Sequence, residues 1–168
     1  MTSDDIPRGS LHLARHDFIP LVGCLLMQNI DGTPPRAITS ENIGVQEWVV
    51  ISPDGRFVVV NSVDGKLVLQ PLDDGKPKEI PKLTNGFMPL RWCPDNRSLL
   101  VYQPGTMPMK ITKVDVETGT QAVWKEWVLA DKVGFDGSYS IKVSRDCQSL
   151  AYTALYNPSE LWIADGFR

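Results

Sequence analysis

The sequence predicts an all-β fold built from repeated four-stranded antiparallel units, and two independent repeat series carry that prediction. Three stretches share one pattern: WVVISPDGRFVVV at 48–60, LRWCPDNRSLLVY at 90–102 and IKVSRDCQSLAY at 141–152. Each reads as strand, tight turn, strand. The second series consists of acidic and glycine turns, at Asp31-Gly32, Asp73-Asp74-Gly75, Asp115-Val116-Glu117-Thr118-Gly119 and Asp165-Gly166. Glycines 32, 75, 119 and 166 fall 43, 44 and 47 residues apart, and Asp54, Asp95 and Asp146 of the first series fall 41 and 51 apart. A period of roughly 40–50 residues is that of a four-stranded β-propeller blade.

The turns explain themselves locally. In Ser52-Pro53-Asp54-Gly55, proline presets φ near −65°, aspartate bonds its own backbone, and glycine takes positive φ, so two short strands are folded back on each other. Cys93-Pro94-Asp95-Asn96 keeps this chemistry because Asn tolerates the left-handed region. Ser144-Arg145-Asp146-Cys147 keeps only the Asp, and its lack of Gly and Pro makes it the copy expected to be least sensitive to substitution.

Residues 1–20 contain no such turn and no clean alternation, and they stay unassigned. Residues 21–44 read as the end of a first blade, with its third and fourth strands at 21–30 and 35–39. Blade two spans 45–83, with strands expected at 46–52, 56–62, 66–72 and 77–83. Blade three covers 84–128, with a strand at 109–116 after the turn at Pro104-Gly105. Residues 129–168 hold a partial blade four that begins near Gly137 and ends with a third strand at 160–164. The expectation is therefore a partial β-propeller of about three and a half four-stranded antiparallel blades. Closed propellers need at least about four blades, so open strand edges are expected, with a homodimer through those edges as the simplest way to cover them.

Composition agrees. The chain has 168 residues, 42% hydrophobic and 22% charged, enough for one sizeable core, and 13 Gly with 13 Pro suit many short strands joined by turns. A net charge of −3 leaves no electrostatic footprint for nucleic acid, and no apolar run points to membrane insertion. Cys24, Cys93 and Cys147 form an odd, scattered set without CxxC spacing, read as buried free thiols rather than a zinc site or disulfide framework. Trp48 and Trp92 fall on inner strands, where packing between blades is the expectation. Trp124, Trp127 and Trp162 fall on outer or third strands and are candidate contact residues.

The segment SPDGRFVVV followed by LVLQPLDDGKPKEI resembles the TolB-type repeat family, whose blades pair an SPDG turn with a strand ending in an acidic glycine turn. The run AYTALYNPSELWIADGFR at 151–168 is similar to the closing blade of propellers at the C-terminus of bacterial eukaryotic-type serine/threonine kinases. No kinase lobe, Gly-rich loop or HRD motif accompanies it. The resemblance implies the tail of such a protein, truncated or separately encoded.

His12 and His16 have a helical ligand spacing, but position 13 is Leu where a metallopeptidase helix carries Glu, so no metal is assigned. Leu21-Val22-Gly23-Cys24 has the form of a lipobox, yet the apolar run before it is too short for a secretory segment, and strand is the better reading. Asp73, Asp74 and Asp115 lie in turns without the dense oxygen donors calcium needs. Gly137-Ser138-Tyr139-Ser140 lacks the second glycine of a nucleophile elbow. No catalytic residue and no cofactor are assigned.

These observations lead to a non-catalytic binding or interaction module that recognises a protein, a peptide or a small ligand at the propeller face. The connections 84–89 and 130–137 join one blade's outer strand to the next blade's inner strand and offer Asn85, Phe87, Met88, Asp131, Lys132, Phe135 and Asp136. The alternative is the accessory propeller of a serine/threonine kinase or of a prolyl-oligopeptidase-like hydrolase whose catalytic domain this chain does not contain. The isolated chain is expected in the cytoplasm, and outside it if attached to a membrane-bound kinase.

Overall fold

Ser52, Cys93 and Ser144 open three turns whose fourth residues all sit at positive φ: Gly55 at +69°, Asn96 at +54° and Cys147 at +56°. In the first turn the Ser52 hydroxyl accepts the N–H of Phe57 at 2.9 Å and donates to the Asp54 carboxylate at 2.6 Å. Ser144 repeats this with Ser149 and Asp146. The middle turn has no hydroxyl at its first position; instead Asp95 accepts the N–H groups of Arg97 and Ser98 and the Ser98 hydroxyl. That rearrangement satisfies the turn from its far side and leaves position 93 open to cysteine.

The computed structural model describes residues 22–28, 30–39, 43–44, 49–73, 75–127 and 135–157. In order, the strands are β1 (Val22–Gly23), β2 (Leu26–Met27), β3 (Arg36–Ala37), β4 (Ile43–Gly44), β5 (Val50–Ile51), β6 (Phe57–Asn61), β7 (Leu67–Pro71), β8 (Lys78–Glu79), β9 (Met88–Trp92), β10 (Ser98–Tyr102), β11 (Met109–Asp115), β12 (Gln121–Trp127), β13 (Phe135–Val143) and β14 (Leu150–Tyr156). Among the described residues there is no helix. The sheets β5-β6-β7-β8 and β9-β10-β11-β12 are complete four-stranded antiparallel blades with neighbours in chain order. The pairs β2-β3, β1-β4 and β13-β14 flank them in sequence. The fold is all-β, a partial propeller with unclosed sheets.

Blade three shows why its strands read as continuous apolar runs. Successive side chains of β10 point to opposite faces: Leu99 and Val101 enter one core cluster with Val59, Leu69 and Trp92, while Leu100 and Tyr102 enter another with Ile111, Ile141 and Val143. Every residue of β10 is consequently buried, because neighbours cover both faces of the sheet. The register carries the division outward: Leu99 opposes Val114 on the blade-two side, and Tyr102 opposes Ile111 on the blade-four side. Burying each such side chain contributes about 1.5–3 kcal/mol. Trp92 is buried as expected, its ring 6.5 Å from that of Phe57 and 22° from parallel. Trp48 lies outside the described residues.

Links between blades two and three add to the apolar contact. Asn96 Oδ1 accepts the N–H of Asp54 at 3.0 Å, and Gln121 Nε2 donates to the Lys82 carbonyl at 3.0 Å. Gly119, at φ +70°, lies so close to blade two that a Cβ there would stand 1.8 Å from the Pro81 carbonyl oxygen.

Three expectations are corrected. Residues 21–30 form two strands, not one: β2 pairs with β3 and β1 with β4, with Leu25 N–H bonded to Thr39 Oγ1 at 2.7 Å between them. The first strand of the last hairpin begins at Phe135, ahead of Gly137. Most consequential, Cys93 and Cys147 are joined as a disulfide with Cα atoms 5.8 Å apart across 54 residues, and only Cys24 is a free thiol, exposed rather than buried. The turn read as least sensitive to change therefore holds one end of a cross-link. The expected third strand of the last blade, 160–164, lies outside the described residues.

Candidate functional site

Asp64, at the tip between β6 and β7, and Asn85, in the link from β8 to β9, meet at one end of blade two. Asn85 Nδ2 donates to the Asp64 carbonyl at 2.7 Å, and the Gly86 N–H donates to the Gly65 carbonyl at 3.1 Å. The loop leading into the next blade is thereby fastened to the hairpin tip of its own blade. Lys66 adds an exposed ion pair to Glu79 at 3.0 Å, worth little in stability but a fixed charge on this rim.

The loop residues expected to form a binding face have different fates. Asn85 is exposed and anchors the loop through its side chain. Phe87 is buried within the cluster of Val59, Trp92 and Leu99, so its ring is packing and not a contact offered to a ligand. Met88 is half-buried, its sulfur accepting from Asn61 Nδ2 at 3.3 Å. Phe135 and Asp136 open strand β13, with Phe135 opposite Tyr156, and so do not belong to a loop. Asp131 and Lys132 lie outside the described residues.

A concave region lies between blade three and the hairpin β13-β14. It is a cleft of about 320 Å³ whose lining includes Cys93, Cys147, Lys113, Trp124, Asp95 and Asp146. The register accounts for it: Lys113 opposes Leu100, so it emerges on the blade-four side, and Trp124, on β12, packs against the same core cluster while remaining half-buried. The outer-strand position of Trp124, which makes it a contact candidate, is the signal the sequence offers here. Lys113 Nζ stands 3.9 Å from Asp95 Oδ2. A shallower depression of about 400 Å³ continues over Pro94, Ser144 and Arg145.

The carboxylates at these turns are committed to the backbone. The Ser144 hydroxyl and then the Gln148 N–H hold Asp146 below the usual carboxylate range, and the Ser52 hydroxyl and the Arg56 N–H do the same for Asp54. At Asp95 burial pushes the pKa up, but the hydrogen bonds from Ser98 and Arg97 outweigh it and the net shift is downward. Asp115 is lowered to about 2, chiefly by the Thr118 N–H and also by the Arg97 guanidinium. Depressed carboxylates that accept turn hydrogen bonds are poor proton donors or acceptors near neutral pH. Among the described residues no three His, Cys, Asp or Glu side chains gather as a metal site. The arrangement offers a polar, mixed-charge cleft with one aromatic wall.

No family model and no curated protein matches this sequence. Solved structures do match. TolB from Acinetobacter baumannii superposes with a TM-score of 0.56 at 16% identity over 81% of this chain and 32% of that one. TolB from Agrobacterium tumefaciens gives 0.57 at 20% identity over 79% and 47%. A chain of a nidogen/laminin complex gives 0.54 at 12% identity over 73% and 45%. The chain spans about a third to a half of the length of these proteins, and its fold is that of a β-propeller, present in part.

Proposed function

We propose that this chain is a non-catalytic β-propeller module that binds a protein or peptide partner. The observation that carries the reading is the pinned loop: the Asn85 and Gly86 bonds to Asp64 and Gly65 hold the connection between blades two and three in one shape, and a recognition surface benefits from loops preorganised on a rigid scaffold. Asn85 and Met88, with Asp131 and Lys132 from the following connection and Phe135 and Asp136 at the start of β13, form the proposed contact set. Phe87 supports it from below.

The test is peptide display on the purified chain, followed by titration of enriched peptides. Asn85→Ala and Met88→Ala should weaken binding at least several-fold, while Val123→Ala, on exposed outer surface, should not. Peptides whose affinity ignores the loop variants would reject this face. Turnover of esters, peptides or phosphoryl donors that survives repurification and is lost on substituting a residue of this chain would reject the non-catalytic reading.

The share of the TolB structures that the chain covers favours action as part of a larger propeller. A second copy pairing along the blade edges is the proposed way to complete it, and light scattering coupled to size exclusion reads this as twice the mass of 18.7 kDa. A monomer at micromolar concentration would reject self-completion. Inspection of the neighbouring reading frame tests the alternative, an accessory propeller of a kinase or hydrolase.

A further inference from the structure

Cys93 and Cys147 occupy turns of successive blades, at positions filled elsewhere by residues that make no covalent bond. Position one of the turn is Ser52 or Ser144 in the other copies, and position four is Gly55 or Asn96. Across the preceding boundary, between blades two and three, the position-four residue Asn96 also reaches back to the earlier turn, there through a hydrogen bond to Asp54. The disulfide is the covalent counterpart of that link.

Among the described side chains, the hairpin it secures shares less apolar core with blade three than blade three shares with blade two. Among the described side chains of β13 and β14, Ile141, Val143 and Leu150 are the apolar ones in the shared core cluster, and outward along β14 Tyr152, Leu155 and Tyr156 are 44%, 41% and 47% exposed. Blades two and three share a broader cluster reinforced at Gly119 and Gln121. Both half-cystines are buried, at 3% and 7% exposure, yet both line the 320 Å³ cleft, which opens a path for a small reductant.

We propose that Cys93–Cys147 is a redox latch: oxidised, it clamps the β13-β14 hairpin to blade three, and reduced, it releases the hairpin. In the releasing step a small dithiol supplies two electrons and two protons. A thiolate of the dithiol attacks one sulfur of the bond, the second closes the reductant into a cyclic disulfide, and Cys93 and Cys147 leave as two thiols. Such a bond persists in an oxidising compartment and is lost in a reducing one, so the latched form belongs outside the cytoplasm, against the expectation for the isolated chain. This inference is independent of what the propeller binds.

The experiment uses the full chain carrying Cys24→Ser, so that Cys93–Cys147 is its one reducible bond. Alkylation of the denatured, unreduced protein should leave both cysteines unmodified; modification of both would overturn the proposal. Amide exchange with dithiothreitol should then accelerate in β13 and β14 by roughly 30-fold or more, while β6, β7 and β10 change far less. Unchanged exchange in the hairpin, or the same acceleration in every strand, would overturn the latch. In the further variant Cys93→Ser/Cys147→Asn, which restores the turn residues of the other copies, the reductant should have no effect, and the hairpin should exchange more slowly than in the reduced protein because the new amide can accept the Asp95 N–H. Acceleration by reductant in this variant would place the effect elsewhere and overturn the assignment.

Discussion

Asn96 accepts the backbone N–H of Asp54 at 3.0 Å across the boundary between two blades, from a residue held at φ +54°. The residue thus closes its own turn through its backbone N–H, which donates to the Cys93 carbonyl at 3.2 Å, and its side chain ties that turn to the one 42 residues earlier. Asn96→Gly keeps the conformation and removes the bond, and should cost about 0.5–1.5 kcal/mol. Asn96→Ala also forces a Cβ residue into the left-handed region and should cost about 1 kcal/mol more. Urea denaturation of the two variants measures the difference, and equal midpoints would remove the strain component.

Gly55 and Gly119 both have positive φ, but their surroundings differ. A Cβ on Gly55 meets nothing within 4 Å, whereas one on Gly119 runs into the Pro81 carbonyl. Gly55→Ala should cost about 1 kcal/mol and Gly55→Val about 1–3 kcal/mol. Gly119→Ala should cost more than Gly55→Ala, roughly 3 kcal/mol or above, since the outer edges of two blades must separate. Thermal and urea midpoints rank the pair.

Asp115 is expected to give stability that depends on pH. Its folded pKa of about 2 lies below the ordinary 3.8, first through the Thr118 N–H and also through Arg97. A depressed carboxylate pKa means that the unfolded chain binds more protons between these values, so the contribution is full above about pH 4 and is lost as pH falls toward 2. The stability gap between the wild type and Asp115→Asn should be constant from pH 5 to 7 and shrink across that acid window. A gap that stays the same down to pH 2 would refute the assignment.

Leu99 and Leu100 are adjacent and fully buried, yet they face different neighbours. Each change to Ala should cost about 2–5 kcal/mol. Local amide exchange should separate them: Leu100→Ala should loosen β13 first, and Leu99→Ala should loosen β6 and β7. The same pattern from both variants would contradict the two-sided packing of β10.

The turns at 52–55, 93–96 and 144–147 were legible in the sequence because their determinants lie within a few residues: a serine or aspartate oxygen, a proline and a residue tolerant of positive φ. The strands flanking these turns followed from the same local pattern, and Trp92 followed from its inner-strand position. Phe87 was misread because its place beside Gly86 marks a loop, while the burial of its ring depends on Val59 and Leu99 from two different blades.

The sequence by itself determined the repeat, the turn chemistry and the propeller class, since backbone sterics and hydrogen bonds over short separations specify them. Only the tertiary structure decided that Cys93 and Cys147 pair, that Gly119 abuts Pro81, and that Lys113, Trp124 and Asp146 share one cleft. Each of these joins residues of different strands or blades, and their approach is set by how one twisted sheet packs on the next, a relation no local periodicity encodes.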